Sequence, residues 1–108
     1  MSLNLPKPIA EYLAAVEEKN SDELARCFSE DAVVHDEGGE YRGLDAIKSW
    51  IEETQRKYMY AMEALDASVT GNTVRLRAKV TGSFPGSPVE IDYLFTLTNN
   101  KIISLKIE

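Results

Sequence analysis

One cysteine and one histidine are all that this sequence holds of the side chains that most often build disulfides and zinc sites. A lone thiol, Cys27, excludes an intramolecular disulfide, and a reducing cytoplasm is the setting expected for such a chain. His35 has no second histidine and no nearby cysteine, short of the three or four ligands that zinc takes. No metal or other cofactor is therefore expected. Positive charge is also scarce: 12 Lys and Arg against 18 Asp and Glu leave a formal charge of −6. Such a balance is a poor match to phosphate backbones and anionic bilayers, so neither nucleic acid nor membrane is an expected partner. No apolar run approaches the roughly 20 residues that cross a bilayer. The opening Met1-Ser2-Leu3-Asn4 lacks a basic stretch followed by an apolar one, so no signal peptide is expected. Gly-rich phosphate loops, Gly-x-Ser-x-Gly elbows and His-Glu-x-x-His pairs are all missing. No Gly/Ser/Pro-rich linker interrupts residues 1–108, which are expected to form a single domain.

What is present is periodic. The chain is 44% hydrophobic, enough for one core, and its apolar residues follow two rhythms. Behind Pro6 and Pro8, which suit a first helical turn, Ile9, Tyr12, Leu13 and Val16 make one helical stripe. Asn20 followed by Glu23 reads as a capping box opening a short second helix, with Leu24, Cys27 and Phe28 buried. Cys27 is then an inert core thiol. After the short strand Ala32–Asp36 and a Gly38-Gly39 turn, the helical rhythm returns in Leu44, Ile47, Trp50 and Ile51, ending near Lys57.

From Tyr58 onward the period is two. Val74, Leu76, Ala78 and Val80 alternate with polar neighbours, as do Val89, Ile91, Tyr93, Phe95 and Leu97, then Ile103, Leu105 and Ile107. Turns fall at Thr70-Gly71-Asn72, Pro85-Gly86-Ser87-Pro88 and Asn99-Asn100. Three helices before a meander of four strands predict an α+β fold in which the helices cover one face of a mostly antiparallel sheet.

Certain words in this order resemble the nuclear-transport-factor-two-like superfamily, which includes SnoaL-like polyketide cyclases and ketosteroid isomerase. They are Tyr12-Leu13-Ala14-Ala15, Asp31-Ala32-Val33-Val34-His35-Asp36 and Tyr41-Arg42-Gly43. The resemblance implies a cone in which a curved sheet and helices enclose a pocket for a small hydrophobic molecule, commonly in a homodimer. It also implies roles. In ketosteroid isomerase an Asp base moves a proton while a Tyr and a protonated Asp hold the oxyanion. Asp36 matches the base and Tyr12 the oxyanion tyrosine. The third role falls on Asp92 in a literal match, but Asp92 lies opposite the apolar face of its strand, and a one-residue slip would turn that whole face outward. Tyr93 is the expected inward donor. Asp92 becomes a surface residue beside Arg77 or Lys79.

Each assignment has a plainer rival. Asp36, on the face of Ala32 and Val34, also suits a cap on the Glu37-Gly38-Gly39 turn. Tyr12 also suits a core stripe. Alternation turns His35 away from Asp36, and only a twisted strand brings it to the pocket mouth as a proton carrier. Trp50, Tyr58, Tyr60, Tyr41 and Phe84 either line a cavity or fill it. The expected activity is cofactor-free proton transfer next to a carbonyl, with Asp36 as base and Tyr12 and Tyr93 as donors. The alternative is a non-catalytic ligand-binding or dimerisation domain of the same fold. On either reading a homodimer is expected, paired through the outward sheet face with Arg75, Arg77, Leu94 and Thr96.

Overall fold

A computed structural model describes residues 5–108, so the Met1–Asn4 segment lies outside the described residues. Helix α1 (Lys7–Glu18) starts on the two prolines and buries Ile9, Tyr12, Ala15 and Val16, with Leu13 at the edge of the stripe. It stops at Lys19, whose left-handed backbone lets the N–H groups of Lys19 and Asn20 return to Val16 and Ala15. Asn20 then opens α2 (Ser21–Arg26) by accepting from the Glu23 N–H at 3.1 Å. The Glu23 carboxylate does not close the box; it pairs with Arg26 instead. Phe28, expected on this helix, already begins the first strand.

That strand, β1 (Phe28–Asp36), pairs antiparallel with β2 (Gly39–Arg42), a strand the sequence did not announce. Glu37 and Gly38 make the two-residue turn, both at positive φ (52° and 77°), which suits the right-handed twist of a hairpin. Helix α3 (Leu44–Tyr58) buries Ile47, Trp50 and Ile51 and ends on Met59 in the left-handed region. Strands β3 (Ala61–Thr70), β4 (Thr73–Thr81), β5 (Val89–Thr98) and β6 (Lys101–Ile107) follow. Among the described residues the sheet has six strands in the order β2-β1-β6-β5-β4-β3, with β1–β6 the one parallel pair. The three helices pack on the face that carries Val74, Leu76 and Ala78 of β4 with Tyr93 and Phe95 of β5. Among the described residues no helix is long and apolar enough to cross a membrane.

The β5 register follows the periodicity. Tyr93 is buried and faces the helices, whereas Asp92 lies on the other face, opposite Arg77. There it accepts from Arg75 at 2.6 Å and Arg77 at 3.0 Å, so Arg75 replaces the expected Lys79, which stands opposite Glu90. Those hydrogen bonds, Arg75 first, hold the Asp92 carboxyl below its usual range. In β6 the expected inward row is corrected at Ile103 alone. A register shift opposite Thr96 and Leu97 leaves Ile103 as the extra residue, so Ile102 and Leu105 are the fully buried pair.

Candidate functional site

Asp36 ends β1 on the same face as Ala32 and Val34, which are completely buried. The strand thus carries one carboxylate to the rim of the core, where it is half-buried. The α3 stripe supplies its partner: Trp50 Nε1 donates to Asp36 Oδ2 at 3.0 Å. Burial raises the proton affinity of Asp36; the indole hydrogen bond opposes this and the neighbouring Glu37 charge adds to it. One turn beyond Thr54 on α3, Tyr58 donates to Glu37 Oε1 at 2.7 Å, tying helix end to hairpin.

The far wall depends on a glycine. A Cβ at Gly82 would lie 2.6 Å from the Tyr58 carbonyl oxygen and 3.1 Å from Tyr60 Cα, a clash with backbone that cannot yield. Only glycine lets the loop press there, with Ser83 N–H donating to Tyr58 O. Phe84 consequently meets Tyr58 edge to face at 5.8 Å. Together these elements enclose a cavity of about 480 Å³, within the range of small-molecule sites. Asp36 and Glu37 form one side, Trp50, Thr54 and Tyr58 the helical side, and Tyr60 the end of the α3–β3 connection. Val80, Val89, Ile91, Tyr93 and Ile107 pave the sheet side, and Phe84 and Pro85 close the rim.

Asp36, Trp50, Tyr58, Tyr60 and Tyr93 therefore meet on one cavity, which the aromatics line rather than fill. His35 does not join them. It lies on the opposite face of β1 with Nδ1 3.9 Å from Glu40, because the strand keeps its alternation and β2 pairs alongside. Tyr41 packs against Trp50 from outside the cavity, at 6.2 Å between ring centres. Tyr12 is completely buried behind the wall, edge-on to Phe95 at 5.4 Å and Phe28 at 6.1 Å. Its hydroxyl has no hydrogen-bond partner among the described residues. Burial holds Tyr12 and Tyr93 well above the usual phenol range and pushes Tyr60 up to about 12. All three stay protonated, as hydrogen-bond donors, at neutral pH. Burial also pushes the Cys27 thiol up to about 11, away from nucleophilic use. The described residues contain no cluster of three or more His, Cys, Asp or Glu placed to hold a metal.

Two polar lining residues, Thr54 and Glu37, escaped the sequence reading. Thr54 continues the α3 stripe one turn past Trp50, so its position was legible had polar residues been admitted to the stripe. Glu37 gave no such signal, since only its positive φ swings it to the cavity.

An orphaned, buried hydroxyl costs folding free energy, about 1–3 kcal/mol for a group left without a partner. Tyr12→Phe removes that hydroxyl and keeps the ring against Phe28 and Phe95. The variant is expected to be more stable by roughly 1 kcal/mol, read as a higher urea midpoint at unchanged slope. A lower midpoint would show that the hydroxyl has a partner in solution.

Residues 9–104 match the family model of the SnoaL-like domain. Among solved structures, a candidate polyketide cyclase from Sinorhizobium meliloti is 38% identical, with a TM-score of 0.94 over 96% of this chain and 95% of its own. A protein of ketosteroid isomerase-like fold from Catenulispora acidiphila, solved with trimethylamine, is 20% identical, with a TM-score of 0.86 over 97% of this chain and 86% of its own. A cystatin-fold protein from Novosphingobium aromaticivorans is 16% identical, with a TM-score of 0.79 over 99% of both chains. These last two share the fold alone. No curated protein matches the chain in sequence.

Proposed function

This chain belongs to the SnoaL-like domain family, and from that footing we propose that its cavity binds a small hydrophobic carbonyl compound and moves a proton on the adjacent carbon without a cofactor. The observation that carries the reading is Asp36: a half-buried carboxylate facing an aromatic cavity, with one neutral donor and a raised proton affinity. Asp36 takes the proton from the carbon beside the carbonyl. The C–H electron pair moves into the enolate, whose oxygen accepts from the Tyr93 hydroxyl. Returning the proton from Asp36 to another carbon completes an isomerisation. Tyr12 stands behind the wall, within electrostatic reach of Tyr60, Tyr93 and Asp36. Its share is smaller, so Tyr12→Phe slows turnover less than loss of Asp36.

The rival is a ligand-binding or dimerisation domain without chemistry, in which Asp36 only holds Trp50 and the hairpin. Hydrogen exchange separates the two. A panel of cyclic ketones incubated in D₂O with the protein is expected to gain deuterium next to the carbonyl, followed by NMR. Exchange at the buffer rate with every ketone favours the rival, and catalysed exchange that survives Asp36→Asn removes Asp36 as the base.

The same reading places the protein in a reducing cytoplasm, given its single buried thiol, and as a homodimer without nucleic-acid or membrane partners. The dimer would use the outer sheet face, where Arg75 and Arg77 alternate with Asp92 and Glu90 around the partly exposed Leu94 and Thr96. Such mixed charges are complementary to a second copy turned by half a revolution. Light scattering at micromolar concentration is expected to give twice the chain mass, and a monomer mass would end the dimer proposal.

A further inference from the structure

The charge of the cavity wall is one-sided. Among the described residues its lining includes the carboxylates of Asp36 and Glu37 and the rings of Trp50, Tyr58, Tyr60 and Phe84, but no lysine, arginine or histidine. Some carboxylates elsewhere in the fold pair with cations: Asp22 meets Lys48, Glu23 meets Arg26, and Asp92 meets two arginines. Among the described residues no cation comes within ion-pair distance of Asp36, whose donor is the neutral Trp50 indole. Glu37 is partly served from outside, where the Lys57 ammonium sits 5.0 Å from the centre of the Tyr58 ring. Lys57 itself does not line the cavity.

A carboxylate withdrawn from water without a counter-charge raises the free energy of the folded state, and a ligand that brings the charge recovers that cost. Aromatic faces act in the same direction, since their quadrupoles attract cations. A neutral ligand draws nothing from either carboxylate as a charge, and an anion is repelled by both. The net charge of −6 favours approach of a cation as well.

We propose that the cavity selects a cationic amine, a tertiary or quaternary ammonium on a small ligand, with Asp36 as counter-charge and the aromatic rings as its cage. The inference rests on the reading of this cavity as a ligand site and adds the charge class of its occupant: the carbonyl compound carries an ammonium group, and neutral ketones are its uncharged surrogates. Methylated ammonium groups are both apolar and charged, which fits a wall that is aromatic on the helical side, largely aliphatic on the sheet side and acidic at one end.

Trp50 is the sole tryptophan and lines the cavity, so its emission reports binding directly. Choline is titrated against 3,3-dimethylbutan-1-ol, which has the same shape with carbon in place of the charged nitrogen. Choline is expected to bind about tenfold more tightly than the alcohol. Asp36→Asn should remove most of that preference by weakening choline binding, with an unchanged circular dichroism spectrum certifying a folded domain. Equal or tighter binding of the alcohol overturns the cation preference and leaves the cavity standing as a neutral-ligand site. Should neither compound bind, the cation preference fails. Proton transfer is judged apart from these outcomes, by deuterium exchange into ketones.

Discussion

Asp36→Asn is expected to remove about 10²–10⁴-fold of the catalysed exchange of hydrogens next to a ketone carbonyl, the usual share of a positioned general base. The substitution keeps size and shape, and the Asn carbonyl oxygen still accepts from Trp50 Nε1. What it removes is the ability to take a proton. Stability should move the other way. Because burial raises the folded-state proton affinity of Asp36, the folded protein holds that proton more tightly than the unfolded chain. The stabilising contribution is complete below the unfolded value, about 4, and is lost as pH rises through the raised folded value. At neutral pH the ionised carboxylate therefore costs stability, and the variant should melt no lower than the parent. That advantage should vanish at pH 3, where both forms are neutral at this position. The pH–rate profile carries the same sign: exchange should rise with pH through the raised pKa of Asp36 and then level off. A variant that unfolds at neutral pH makes Asp36 a structural cap and removes the base from the mechanism.

The features that were legible in the sequence are those with a strict period. Alternation along β4 and β5 placed Tyr93 inward and Asp92 outward against the literal family match, because a slip would have exposed five apolar side chains at once. The same alternation put Asp36 beneath Val34. Strand β2 was not legible, since Gly39–Arg42 has no apolar rhythm and its pairing depends on a turn with two positive φ values. The parallel contact of β1 with β6 joins segments far apart in sequence, and no local pattern announces it. Ile103 misled because one extra residue breaks the alternation: Leu105 and Ile107 keep the expected face, while Ile102, before the bulge, takes the inward place. Whether the aromatics fill the core or line a cavity is a matter of volumes, settled by the Gly82 loop holding Phe84 at the rim.

Phe95→Ala is expected to cost about 3–5 kcal/mol, the range for removing a fully buried aromatic ring from a core that relaxes only in part. Phe95 is completely buried on β5, opposite Val74 of β4 and Leu105 of β6, both of which are also buried. Its ring meets Tyr12 edge to face at 5.4 Å and stacks on Tyr93 at 6.2 Å with an interplanar angle of 15°. Deleting it opens a void between the helix that carries Tyr12 and the strand that carries Tyr93. For a domain of this size each kcal/mol moves the melting temperature by about 4–8 °C, so a fall of about 12–40 °C is expected. Measured well below that lower midpoint, the variant tests a second consequence. Tyr93 loses the ring that backs it, so ketone exchange should slow even in molecules that remain folded, while the acidic side formed by Asp36 and Trp50 is untouched. Phe95→Leu retains most of the volume and should lose about 1–2 kcal/mol with a smaller effect on exchange. If Phe95→Ala lowered stability by less than about 1 kcal/mol, the ring would lie outside the close-packed core, and the support assigned to Tyr93 would go with it.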